Sequence, residues 1–175
     1  MHYRSLITLT LASAISAGCV TTGGPGLEEV ASGALIKSDG ATAGTARLVR
    51  ADNSLSLEIQ GQGFEAGERA LHLHQTGTCE GPAFTSAGGH LNPFGKTHGH
   101  LSPDGKHLGD LPNLQIPSSG QFDVTVQVSE DAAAVLPKIF DTDGTAVMIH
   151  AGPDDYRTDP TGAAGARIAC AVLAS

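Results

Sequence analysis

The sequence predicts an all-β domain, a sandwich or barrel of about eight short strands joined by two long loops. Two alternating runs carry that prediction. Leu55, Leu57 and Ile59 alternate with Ser56 and Glu58, and Phe122, Val124, Val126 and Val128 alternate with Asp123, Thr125 and Gln127. This is the period of an antiparallel strand with one buried face. Composition is the third observation: 23 Gly and 9 Pro in 175 residues punctuate the chain too often for a helical bundle, while 40% hydrophobic residues suffice for a core.

A leader opens the chain. Arg4 supplies a positive start and residues 6–17 an apolar run ending in small residues, the pattern of a secretory signal peptide over residues 1–18. The run is shorter than the ~20 apolar residues that cross a bilayer, so no membrane span is expected in the exported protein. Ser16-Ala17-Gly18-Cys19 resembles a bacterial lipobox, whose cysteine becomes a lipidated first residue, although Ser16 stands where that motif usually has Leu, Val or Ile. The alternative is cleavage near Ala17, with Cys19 left as a free thiol. Residues 19–27 then form a linker or lipid-anchored tether, and residues 28–175 the folded domain.

Beyond the two alternating runs, strands are expected at 29–37, 42–50, 70–74, 146–150 and 166–173, separated by turn signals such as Ser38-Asp39-Gly40 and Asp143-Gly144. Residues 75–110 and 151–165 break the pattern: they are polar and rich in Gly, Pro, His and Asn. Loops that long are uncommon in a small domain unless something orders them. A metal held by the loop histidines would do so, because it supplies fixed contacts where an apolar core is missing.

Charge and cysteines narrow the function. The chain carries 10 Lys+Arg against 18 Asp+Glu, a net −8 that becomes −9 once Arg4 leaves with the leader. With no basic patch, a nucleic-acid partner is not expected. With Cys19 at the processed terminus, Cys79 and Cys170 remain as a pair in an oxidising compartment, which favours a disulfide over two buried thiols. Closing so long a loop is worth roughly 4 to 5 kcal/mol as an upper, model-dependent figure.

Of eight histidines, His2 lies in the leader, and His72, His74, His90, His98, His100, His107 and His150 remain. On a strand, residues two apart share a face, so His72 and His74 can chelate one ion, and His150 ends another strand where it can join them. Imidazoles suit copper and zinc, and a carboxylate among histidines suits a closed zinc site. There is no HExxH helix, no phosphate-binding glycine loop and no GxSxG elbow, which removes the usual zinc protease, nucleotide-binding and serine hydrolase readings.

The motifs then point to one family. Leu71-His72-Leu73-His74, Gly89-His90-Leu91-Asn92-Pro93, Lys96-Thr97-His98-Gly99, His107-Leu108-Gly109-Asp110-Leu111-Pro112-Asn113, His150-Ala151-Gly152-Pro153-Asp154-Asp155-Tyr156 and Ala166-Arg167-Ile168-Ala169-Cys170 resemble, in order and spacing, the bacterial copper/zinc superoxide dismutases. The resemblance implies an eight-stranded antiparallel Greek-key sandwich or barrel. It implies copper on His72, His74, His90 and His150, and zinc on His90, His98, His107 and Asp110, with His90 as the bridge. Asp154 would accept hydrogen bonds from one ligand of each metal, Arg167 would attract the anion, and Cys79 and Cys170 would form the family disulfide. The implied activity is superoxide dismutation to dioxygen and hydrogen peroxide through a copper redox cycle. His90 would handle the proton and zinc would organise the loop.

The implied setting is antioxidant defence in the periplasm, with a homodimer left open. Ala70-Leu71 and the extra His100 depart from the family pattern without touching an implied ligand. Lys96 and Lys138 are further steering candidates, or plain surface charges. The rival reading, a related domain that binds or passes on metal without turnover, does not account for an arginine and a complete copper set together.

Overall fold

The computed structural model describes residues 26–175, so the leader and Cys19 lie outside the described residues. The two alternating runs pair with each other: β3 (Ser54–Gly61) and β7 (Phe122–Ser129) are antiparallel neighbours, with Leu57 opposite Val126 and Ile59 opposite Val124. Their apolar faces therefore fall on one side of the sheet. β1 (Leu27–Lys37) and β2 (Thr42–Ala51) form a hairpin beside β3. β5 (Leu71–His74), β8 (Thr145–His150) and β9 (Arg167–Leu173) complete a seven-stranded antiparallel sheet in the order β5-β8-β9-β1-β2-β3-β7. The run β9-β1-β2-β3 places a late strand beside the first of three hairpin-linked ones, which is the Greek-key order.

The sheet curls on itself. Leu57, Ile59 and Val126 from one end of the strand order share a single core with Leu71, Leu73, Val147 and Ala171 from the other. Alternation then places His72, His74, Ala146, Met148 and His150 on the outer face of β5 and β8. Part of that face is covered by a second, small apolar cluster of Phe84, Ala87, Ala146, Met148 and Cys170. All four residues of β5 and all six of β8 are buried, because loops cover their outer side.

Three elements were not anticipated. β4 (Gly67–Arg69) and β6 (Leu114–Ile116) form a separate two-stranded sheet, each too short to show a period. A two-turn helix, α1 (Ala132–Ile139), follows β7; Asp131 caps it by accepting from the Ala134 N–H at 3.1 Å, and Val135 and Ile139 are buried. Pro137 inside it disguises so short a helix as a loop. Between β5 and β6 the only regular element is a 3-10 turn, Thr85–Ala87, as expected of a long functional loop.

Candidate metal centre

The loop 75–110 is fastened to the free edge of β5 by backbone bonds. Leu73 N–H donates to Gly109 O (2.9 Å), Leu91 N–H to Leu73 O (2.8 Å) and Gly109 N–H to Leu91 O (2.9 Å). Position 109 must be glycine, since a Cβ there would sit 2.2 Å from the Leu73 carbonyl oxygen. This small ladder sets His90 opposite His74 and Asp110 opposite His72. His150 arrives from β8 through its N–H bond to Ala70 O (3.0 Å).

Two groups of donor atoms result. His72, His74, His90 and His150 form one and His90, His98, His107 and Asp110 the other; all are buried, and in each the donor atoms lie within 4.8 Å of one another. His90 belongs to both. Its Nδ1 lies 2.9 Å from Asp110 Oδ1, so its other ring nitrogen is left for the four-histidine group.

Four of the other rings are aimed by their second nitrogen. His72 Nε2 donates to Asp154 Oδ2 and His98 Nε2 to Asp154 Oδ1, both at 2.9 Å. His74 Nδ1 donates to Gly88 O (3.0 Å) and His150 Nδ1 to Gly165 O (3.2 Å). Four buried nitrogens remain without a hydrogen-bond partner among the described residues: His72 Nδ1, His74 Nε2, His98 Nδ1 and His150 Nε2. An orphaned buried polar atom costs about 1–3 kcal/mol, so three in the four-histidine group and one in the mixed group mark where ligands belong. Asp110 supports the same conclusion. Its Oδ2 accepts from Gly99 N–H (2.8 Å) and His107 N–H (3.0 Å), while Oδ1 lies 2.9–3.1 Å from the Nδ1 atoms of His90, His98 and His107. The donor–donor edge of a tetrahedral zinc site is roughly 3.3 Å. The residues therefore fit zinc in the mixed group and an imidazole-preferring metal such as copper in the other.

The electrostatics suit cations. Burial holds His74 down to about 2, His150 to about 3 and His90 to about 4, so these rings are neutral and keep a lone pair for metal. Burial alone would raise the Asp110 and Asp154 carboxyls. The His90 and His98 rings beside the first, and hydrogen bonds from His72 and His98 to the second, hold both well below the usual carboxylate range instead. Burial disfavours charge on His98, yet the Asp110 and Asp154 carboxylates against its ring outweigh this and carry it up to about 9.

A cleft of about 710 Å³ opens beside the four-histidine group, lined by His74, His90, His150, Thr161, Pro160 and Arg167. Arg167 donates through Nη1 to Phe84 O and through Nη2 to Gly88 O, both at 2.6 Å. Cys79 and Cys170 are joined in a disulfide that ties the loop to β9.

A β-sandwich carrying two metal-binding groups that share one histidine defines a class of binuclear, histidine-bridged metalloprotein. The model of the family described as copper/zinc superoxide dismutase matches residues 42–173. Superoxide dismutase [Cu-Zn] 2 of Aquifex aeolicus is 40% identical over 144 residues, 79% of this chain and 83% of that one. The corresponding protein of Caulobacter vibrioides is 35% identical over 145 residues, 80% and 83% of the two chains. Among solved structures, a SOD-like protein from Bacillus subtilis superposes with a TM-score of 0.74 at 36% identity, covering 81% of this chain and 97% of its own. The Cu/Zn superoxide dismutase from Brucella abortus gives 0.66 at 28%, covering 82% and 98%. The chain belongs to the copper/zinc superoxide dismutase family.

The geometry brings together His72, His74, His90, His98, His107, Asp110, His150, Asp154 and Arg167, all singled out from sequence. His100 stands outside both groups, exposed, with its ring edge-on to Tyr156 at 5.2 Å. Lys138 is remote from the cleft. Thr145 Oγ1 donates to Ile139 O, which sets the end of α1 beside the start of β8, about 17 Å from His150.

Several positioning residues were given no role by the sequence, although Asn113 and Tyr156 lie within the family-like motifs. The Asn113 side chain clasps the Asp154 backbone, with Oδ1 accepting from Asp154 N–H (2.9 Å) and Nδ2 donating to Asp154 O (3.0 Å). The Tyr156 hydroxyl accepts from Asn113 N–H at 2.8 Å. Gly162 lies where a Cβ would strike Asp154 Oδ1 at 2.0 Å. Asn and Gly are common in loops, and only the fold shows which of them touch the centre.

Proposed function

We propose that this chain is an exported superoxide dismutase in which His72, His74, His90 and His150 hold copper and His90, His98, His107 and Asp110 hold zinc. The sharing of His90 between two buried donor groups carries the reading. Bound copper supplies the one-electron redox chemistry that dismutation requires, and bound zinc a fixed structural charge. The chain's own residues do the rest. His90, with Nδ1 committed to the mixed group, has one nitrogen facing the cleft on which a proton can be held and returned. Asp154 fixes the ring planes of His72 and His98 together, so the two groups stay in register. Arg167 offers its remaining N–H groups and its charge to an anion in the cleft. The loops shield the histidines from bulk water, leaving His74 and His98 buried and only the cleft open.

Export with cleavage after residue 18, and lipidation of Cys19 in the cell envelope, complete the proposal; the lipobox-like run at residues 16–19 and the disulfide support it. Antioxidant defence in the periplasm is the role that fits. β1 starts at Leu27 and ends beside β9, where Lys37 pairs with Ala169 close to Arg167. The described chain therefore begins at the end of β1 remote from the cleft, about 30 Å along the strand. Mass spectrometry of the processed N-terminus tests the lipid.

The activity is tested by assaying dismutation after loading with copper and zinc, with cyanide as inhibitor. The expected result is fast, cyanide-sensitive turnover that His150→Ala abolishes. Stoichiometric metal without turnover would instead establish a metal-binding domain.

A further inference from the structure

The guanidinium of Arg167 is a rigid fork, and its plane decides which donors face the cleft. Two carbonyls set that plane, those of Phe84 and Gly88. The Gly88 carbonyl also accepts from His74 Nδ1, so it is tied to the metal centre directly. The Phe84 carbonyl has no such tie. Phe84 sits at φ 52, ψ 29, in the left-handed region that side-chain-bearing residues rarely adopt. Something must compensate for that conformation and keep the carbonyl turned toward β9.

The ring does so. Phe84 is 1% exposed and is the one aromatic residue of the small apolar cluster that it forms with Ala87, Ala146, Met148 and Cys170. Cys79 packs against the same cluster, so the disulfide and the ring brace one patch on the outer face of β8 and β9. The Phe84 N–H donates to Glu80 O (3.0 Å) and its carbonyl also receives the Ala87 N–H (3.2 Å). A buried ring thus pins a strained turn whose carbonyl is shared between the loop backbone and the arginine.

Resting on the reading of Arg167 as the anion-attracting group, we propose that Phe84 is its positioning residue: the buried ring locks the turn whose carbonyl aims the guanidinium into the cleft. Phe84 does not line the cleft, and its carbonyl reaches it through Arg167.

The test uses Phe84→Leu, Phe84→Ala, Arg167→Ala and the Phe84→Ala/Arg167→Ala double variant in the copper- and zinc-loaded protein. Azide is the probe, and its dissociation constant is read from the visible spectrum. A second readout is solvent exchange of the Arg167 guanidinium protons by NMR in the zinc-loaded protein. The expected result is unchanged metal content, azide binding weakened about tenfold in Phe84→Ala and two- to threefold in Phe84→Leu, faster guanidinium exchange in the same order, and a double variant no weaker than Arg167→Ala alone. Wild-type azide affinity and exchange in both Phe84 variants overturns the proposal, as does a double variant whose losses add. Phe84→Leu keeps most of the apolar volume and carries the test if the alanine variant does not fold. If Arg167→Ala leaves azide binding unchanged, the reading of Arg167 fails, and the exchange rates still decide whether Phe84 holds the guanidinium.

Discussion

At Asp154 a single carboxylate orients one histidine of each donor group, and Asn113 holds that carboxylate through its backbone. Losing such a support costs a metal site roughly 10–100-fold in affinity. Asn113→Ala is therefore expected to weaken zinc binding by about that factor while its direct donors stay intact, as chelator competition would read. In the proposed reading Arg167 acts on the substrate side. With two donors spent on carbonyls it stays fixed beside His74 and His150, so Arg167→Ala should lower kcat/KM about tenfold and flatten its dependence on ionic strength. Stopped-flow rates across a salt series check both parts.

The element that matters most is an irregular one. β5 is an edge strand, and an unpaired edge is normally a liability. Here the loop 75–110 covers it with two backbone bonds to Leu73 and a third between its own Gly109 and Leu91, which turns the edge into the template that lines up His72, His74, His90 and Asp110. The ladder depends on Gly109. A methyl group there would push the loop from Leu73, a strain of about 1–3 kcal/mol. Gly109→Ala is expected to lower the melting temperature by roughly 2–10 °C and to reduce bound copper and zinc together, since both groups hang on the same ladder. Loss of one metal with the other retained would show that the loop sections move independently.

Across the whole molecule, two halves are ordered by different means. The curled sheet has a continuous apolar core, whereas the outer face of β5 and β8 is covered by polar loops held by hydrogen bonds, a disulfide and the donor groups. Binding to the folded state alone adds stability, so removing metals with a chelator should lower the melting temperature. Proteolysis should then begin within residues 75–110 and 151–165, with the sheet intact, as limited digestion followed by mass mapping would show. Net charge also belongs to this scale. The net charge of −8 opposes an anionic substrate, yet the screening length at physiological salt is about 8 Å, so in the proposed reading Arg167 in the cleft outweighs distant carboxylates.

Much of this was readable along the chain, because strand alternation and histidine spacing are local properties. Leu55 to Ile59 and Phe122 to Val128 announced a half-buried sheet. His72 and His74 announced a chelate, since two residues apart on a strand means one face. β8 was harder, being buried on both faces and lacking a polar period, and β4, β6 and α1 were missed, because such short pieces exist only through their partners. The ligand types, their pairing with a known family and the cysteine pair were thus determined by sequence. Tertiary structure alone decided which nitrogen of each ring is left for metal, that Asn113, Gly109 and Gly162 hold the centre together, and that Phe84 faces Arg167 across 83 residues of chain. These depend on distances between segments far apart in sequence, which no local period encodes.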